Sequence, residues 1–180
     1  MSITSETVVF VTSVATALGT FQLAATDRGL CGLLLPNETD RDLPRWLDRV
    51  GPHTVQDGLA NPTCRLAAEE LQSYLRGDLT AFSVPLDLRG TPFQLKVWEA
   101  LRQIPYGETR SYGQVAASVG NPRGVRAVGM ANNRNPVAII VPCHRVIGAN
   151  GSLVGYGGGL SLKEHLLSLE RSVLAQVSGW

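Results

Sequence analysis

The stretch "SYGQVAASVGNPRGVRAVGMANN", residues 111–133, carries the fold reading, because two short helical patterns meet in it around Gly120. The first runs to Val119. The second takes a fresh start at Asn121-Pro122, since proline suits the first turn of a helix. Two short helices joined by a turn of about four residues around a glycine is helix-turn-helix spacing. Ala116, Ala117, Ala127, Gly129 and Ala131 are small enough to let such helices approach closely. On the second helix Arg123 and Arg126 are three residues apart and are expected to share a face.

Upstream, "TPFQLKVWEALRQI" (91–104) predicts a helix capped by Thr91, with Pro92 at its first position and Phe93, Val97, Leu101 and Ile104 in one stripe. Before it, "FSVPLDLRGTP" (82–92) reads as a linker, and places a boundary near residue 88. The first part reads as strands and then helices. "TVVFVTSV" (7–14) and "GTFQLAAT" (19–26) are rich in β-branched and apolar residues, and "DRG" (27–29) turns the chain into "LCGLLLP" (30–36) as a hairpin. "DRDLPRWLDRV" (40–50) and "NPTCRLAAEELQSYLRGD" (61–78) read as helices, the latter capped by Asn61 and carrying Leu66, Leu71 and Leu75. The expectation is an α/β two-domain chain, with a support domain at 1–88 and a helix-turn-helix domain at 89–180.

Downstream, "NPVAIIVPCHRVIG" (135–148) reads as an apolar strand, Val137 to Val141, halted by Pro142 and followed at once by Cys143, His144 and Arg145. The thiolate is the nucleophilic form of cysteine, so a neighbour must lower its pKa or take its proton. Successive side chains point apart in a strand, so His144 can serve the sulfur only across a local turn or through a water. A base also needs an orienting group, and no acid lies between Thr109 and Lys163. The last helical pattern, "SLKEHLLSLERSV" (161–173), supplies one by phase. Glu170 falls on the stripe of Leu162, Leu166 and Val173, whereas Glu164 points away.

Charge adds a second signal. The chain of 180 residues has a net charge of +1, but residues 1–90 hold seven arginines against eleven acids and residues 91–180 hold nine cations against four. The acid-free stretch contains Arg110, Arg123, Arg126, Arg134, Arg145 and Lys163, and six cations without counter-charges suit a polyanion. Three cysteines, Cys31, Cys64 and Cys143, have no framework spacing, and with His53 they offer too few ligands for a zinc site. No apolar run reaches a membrane span and the N-terminus lacks a basic leader region, so a cytoplasmic, reducing setting is expected.

"PCHRVIG", preceded by "SYGQVAASVGNPRGVRAVGMANNRNP" and followed by "GYGGGLSLKEHLLSLE", closely resembles the O6-alkylguanine-DNA alkyltransferases over about 80 residues, Thr91 to Arg171. The resemblance implies a ribonuclease-H-like N-terminal α/β domain and a winged-helix-like C-terminal helix-turn-helix domain. It implies irreversible, single-turnover transfer of an alkyl group from O6-alkylguanine, and from O4-alkylthymine, in double-stranded DNA to Cys143. His144 would activate the sulfur through a water, Glu170 would orient His144, and Asn135 would brace the turn. The base would be flipped out through the minor groove, Arg126 filling its place and Tyr112 rotating its phosphate, with Arg123 and Arg134 also on the DNA. The backbone near Val146, the ring of Tyr156 and Gly157 would line the pocket, and Phe93 with its helix would support the DNA-binding domain. No metal, cofactor or membrane is implied, and the protein would act as a monomer, with cooperative loading on DNA left open.

At one position the chain departs from the resemblance. The residue after Tyr156 is often serine, whose hydroxyl and amide lie near the guanine oxygen; here it is Gly157, which opens the question of pocket size and alkyl preference. Two other classes stay in view. A non-reacting damage-binding protein would have no use for Cys143. A redox-sensing helix-turn-helix regulator would read base edges with sequence preference.

Overall fold

The computed structural model describes residues 6–38 and 42–179. Strands β1 (Thr7–Thr16) and β2 (Gly19–Thr26) form an antiparallel hairpin with Val14 opposite Phe21. The Asp27-Arg28 turn leads into β3 (Gly29–Leu34), antiparallel to β2, which is the hairpin read from the sequence. A fourth strand, β4 (His53–Asp57), was not legible. It pairs parallel to β1 and completes the order β3-β2-β1-β4. Four of its five side chains are exposed, so it carries no alternation of apolar and polar residues.

Helix α1 (Asp42–Leu47) and the 3-10 turn Asp48–Val50 cover one face of the sheet. The sequence reading started that helix at Asp40; Asp40 and Arg41 lie outside the described residues. Trp46, Leu47 and Val50 pack on Val9, Ala24, Cys31 and Leu34. The indole of Trp46 lies directly over Gly32, where a Cβ would meet the ring inside van der Waals contact.

Helix α2 (Pro62–Leu75) covers the other face and is capped by Asn61, whose Oδ1 accepts from Cys64 N at 3.0 Å. Its buried stripe is Cys64, Ala67, Leu71 and Tyr74, so Leu66 and Leu75 flank the core rather than lead it. The linker is no loose tether. Leu30 N donates to Pro85 O and Asp87 N to Leu30 O, both at 2.8 Å, so it adds to the free edge of β3. The Glu70 carboxylate accepts from Ser83 N and Val84 N, which fixes where the linker begins.

Helix α3 (Pro92–Arg102) starts with a complete capping box between Thr91 and Gln94 and buries Val97, Trp98 and Leu101. A second capping box, Ser111 with Gln114, starts α4 (Tyr112–Ser118), just after the two-residue strand β5 (Arg110–Ser111). Helix α5 (Val125–Asn133) follows. It begins three residues later than the sequence reading, because Asn121 O accepts from Gly124 N at 2.8 Å and closes a turn there. Arg123 therefore sits in the turn, and it does not share a helical face with Arg126. Trp98 Nε1 donates to Ala131 O at 2.8 Å and clamps α5 onto α3.

Residues 137–141 correct the sequence reading too. They form no strand: Val137 bridges to Leu33, Ala138 bridges to Val141, and the chain turns between them with Ile139 at φ 71°. A β-branched residue rarely adopts that conformation, and the flanking pairings hold it there. A 3-10 turn (Cys143–Arg145), strand β6 (Val146–Ile147, parallel to β5) and α6 (Leu160–Val177) complete the chain. One apolar core runs through both halves, joining Phe21, Leu33 and Leu71 to Val97, Val137, Val146 and Leu166. Among the described residues no helix is long and apolar enough to cross a membrane.

Replacing Gly32 by alanine tests the packing of α1. The added methyl meets the Trp46 ring, and overpacking of this kind costs about 1–3 kcal/mol. A urea unfolding midpoint equal to that of the parent protein would show that α1 yields instead.

Candidate active site

The turn that carries Cys143 is built from its own backbone and two side chains, Asn135 and Asn132, whose Nδ2 donates to Cys143 O at 3.5 Å. Val141 N donates to Val137 O (3.0 Å), Cys143 N to Val141 O (2.8 Å) and Arg145 N to Pro142 O (3.0 Å). Asn135 spans the turn: its Nδ2 donates to Val141 O at 2.7 Å and its Oδ1 accepts from Val137 N at 3.0 Å. The 3-10 geometry after Pro142 is what lets Cys143 and His144 turn toward different neighbours without the opposition a strand would impose.

His144 is fully buried and lies 2.8 Å from Glu170 through its Nε2. Burial by itself would raise the Glu170 carboxyl. Hydrogen bonds from His144 and Arg145, and their charge, overcome that and hold its pKa at about 2. The carboxylate is therefore an acceptor only, which assigns the proton of a neutral His144 to Nε2 and leaves the lone pair on Nδ1. Nδ1 is buried without a protein partner. Burial also lowers the His144 pKa, against the pull of Glu170, so the imidazole is neutral near pH 7 and able to accept a proton.

Glu170 collects donors from three segments of chain. Besides His144 it accepts from Tyr74 Oη (2.7 Å), Arg145 Nε (3.0 Å) and Nη2 (2.8 Å), and Gly107 N (3.0 Å). Arg145 also donates to Ile104 O at 2.7 Å and lies over the Tyr106 ring at 5.5 Å. Tyr74, from α2, was missed in the sequence; its place three residues after Leu71 on the buried stripe was the available signal.

Cys143 is 5% exposed. Burial pushes its pKa up to about 11, while a hydrogen bond from Asn135 and the charge of Lys163 pull the other way. The resting group is a thiol, and ionising it requires a base.

Lys163 is buried as well. Its Nζ donates to Val146 O (2.6 Å) and Val154 O (3.0 Å), and Tyr112 Oη donates to that same Val154 O at 3.2 Å. Tyr156 is half-buried, with its hydroxyl enclosed and without a protein partner. Burial, then the charge of Cys143, raises its pKa and keeps it a neutral donor. Gly157 is exposed, and its carbonyl accepts from Asn37 Nδ2 at 2.9 Å.

The basic stretch divides in two. Arg123, Arg126 and Arg134 are exposed and make no ion pair among the described residues. Lys163 and Arg145 are buried and satisfied inside the protein, so the sequence count of six free cations overstated the surface charge. Arg110 pairs with Glu108 at 2.9 Å. On α5, Val125, Arg126 and Met130 are exposed, with Met130 at 57%. Cys31 and Cys64 are buried thiols whose pKa values burial pushes up to about 12 and about 11.

Residues 92–172 match the family model of the DNA binding domain of 6-O-methylguanine DNA methyltransferase, and residues 9–88 match the model of its ribonuclease-like domain. The chain belongs to the 6-O-methylguanine DNA methyltransferase family. A methylated-DNA–protein-cysteine methyltransferase of Methanosarcina acetivorans is 61% identical over 108 residues, which are 60% of this chain and 69% of that protein. The protein of that name from Mycobacterium tuberculosis H37Rv is 62% identical over 106 residues, 59% of this chain and 64% of the relative, so the aligned part falls just short of two thirds of its length. Among solved structures, the Mycobacterium tuberculosis O6-methylguanine methyltransferase superposes with a TM-score of 0.77 at 46% identity, covering 91% of this chain and 93% of that one. The same organism's OGT in complex with DNA gives 0.77 at 45%, covering 92% and 94%. Both halves of this methyltransferase-family chain are thus matched, residues 9–88 by the ribonuclease-like model and residues 92–172 by the DNA binding model.

The Glu170 network makes a stability prediction with a definite sign. The folded-state pKa of about 2 lies below the ordinary 4.5. The carboxylate's contribution is therefore complete above about pH 4.5 and is lost as pH falls toward 2. Glu170→Gln flattens that limb of the curve and leaves Arg145 buried with an uncompensated charge, a loss of about 3–5 kcal/mol at pH 7. Urea unfolding between pH 7 and pH 2.5 reads both effects; an equally steep acid limb in the variant would remove Glu170 as its source.

Proposed function

We propose that this protein repairs alkylated DNA by direct reversal, moving the alkyl group of O6-alkylguanine onto Cys143 in one irreversible turnover. The observation that carries the reading is the unpartnered, buried Nδ1 of His144, on the residue directly after a buried thiol, with Nε2 committed to an ionised Glu170. That arrangement is an unfilled general base with its tautomer fixed. The Cys143 proton passes to Nδ1 through a water, and the thiolate attacks the alkyl carbon. The carbon–oxygen bond breaks with its electron pair going to guanine, which takes the proton back from His144. The Tyr156 hydroxyl, held neutral by burial, hydrogen-bonds the leaving oxygen. The thioether product has no hydrolytic route at neutral pH, so the protein is consumed. O4-alkylthymine presents the same bond to the sulfur and is a second substrate of this chemistry.

The partner is double-stranded DNA. An alkyl group on O6 lies on the pairing and major-groove edge of a stacked base, out of reach from the minor groove, so the nucleotide must be turned out at a cost of a few kcal/mol. Exposed α5, with Val125, Arg126 and Met130 on its outer face, enters the minor groove, and Arg126 occupies the vacated stack. Arg123 and Arg134 take phosphates at the two ends of that helix. Tyr112 and the backbone of Val146 border the base. The division at residue 88/89 separates the support part from the part that meets DNA. The protein acts as a monomer in the cytoplasm, where three free thiols persist.

Intact-mass measurement after incubation with a duplex carrying O6-methylguanine is the direct test. One methyl mass on the Cys143 peptide, with at most one equivalent per protein, is expected; repeated turnover or an unmodified protein rejects the reading. Arg126→Ala slows reaction with duplex at least tenfold more than reaction with the free alkylated base, because its role is extrusion. Equal losses on the two substrates would place Arg126 elsewhere in the mechanism.

A further inference from the structure

We infer that Glu38, on the turn after β3, is a specificity-determining residue of the alkyl pocket, filling the room that Gly157 leaves by having no side chain. The inference rests on the reading of Cys143 as alkyl acceptor. Glu38 is half-buried and fixed on both sides: its N–H donates to Leu35 O, and its Oε2 accepts from Leu35 N, each at 2.9 Å. Its other oxygen, Oε1, faces Gly157, where a Cβ would stand 3.1 Å away. The preceding residue, Asn37, grips the Gly157 carbonyl at 2.9 Å. Two consecutive residues of the N-terminal half thus close on the one residue that follows Tyr156.

The carboxylate is electrically part of the same site. Its charge acts on both the Cys143 thiol and the Tyr156 phenol, raising each. No arginine or lysine makes an ion pair with it among the described residues, although a half-buried carboxylate gains from one.

The consequence for substrate choice is steric first. A glycine at 157 does not enlarge the pocket, because Glu38 stands in the space. On this inference a methyl group reaches the sulfur with Glu38 in place, whereas a benzyl group must displace it. Pocket contacts of this size discriminate by roughly 10–200-fold. The charge is a second, separable effect: a carboxylate near a forming thiolate slows the reaction with every alkyl group alike.

Single-turnover alkylation of Cys143 by duplexes carrying O6-methylguanine or O6-benzylguanine separates the two. Glu38→Ala raises the benzyl-to-methyl rate ratio at least tenfold. Glu38→Gln, of nearly the same volume, keeps the ratio within twofold and raises both rates. Gly157→Ala lowers the ratio, and adding Glu38→Ala restores it, the coupling expected of two groups sharing one space. A ratio within twofold of the parent in Glu38→Ala overturns the inference, and so does a Gly157→Ala loss that Glu38→Ala fails to restore. Each variant's methyl reaction certifies its own fold, and the two positions probe the wall from opposite sides. A parent protein that takes up no methyl group at all would instead reject the transfer reading on which the inference rests.

Discussion

A single buried carboxylate organises this molecule. Glu170 has no access to water, and an isolated charge in that position would be prohibitively costly. It is stable there because Tyr74, Gly107, His144 and Arg145 all donate to it. The same bonds fix which nitrogen of His144 carries a proton, hold Arg145 inside and set the Cys143 turn against α6. Removing one donor leaves the others competing for a charge that still has to be satisfied. The site is therefore a polar network enclosed by the apolar core, and its chemistry depends on its burial.

Much of this was legible in the sequence because local rules governed it. The Thr91, Ser111 and Asn61 starts obey capping chemistry that acts over three residues, and the hairpin β2–β3 follows from one short turn. Glu170 could be phased onto the buried stripe of its helix by counting fours. What escaped was non-local. Strand β4 has exposed side chains and is a strand only because β1 offers it an edge. Residues 137–141 look like a strand by composition, but pairing with Leu33 on one side and Asn135 on the other bends them. The late start of α5 came from a turn closed at Gly124, which took Arg123 off the helix.

Charge shows the same limit. Counting cations along the chain cannot tell an arginine facing solvent from one facing a carboxylate 25 residues away. Arg145 and Lys163 serve the interior, one neutralising Glu170 and the other tying Val146 to Val154. Within the acid-free stretch the exposed arginines unpaired among the described residues are Arg123, Arg126 and Arg134, on and around α5, a narrower set than the sequence alone implied. Tyr74 escaped for a related reason, since nothing near it in the chain announces a partner 96 residues away.

That separation has a bearing on how the chain reaches its native state. The donors around Glu170, itself on α6, come from α2, the segment after α3 and the Cys143 turn, so the network closes only after distant parts of the chain have met. Contacts of long sequence separation form late and slowly. A partly folded molecule, even one with its helix-turn-helix in place, would lack an oriented imidazole. On the proposed transfer to Cys143, competence to react is thereby tied to completion of folding, so that a chain not yet finished does not spend its thiol.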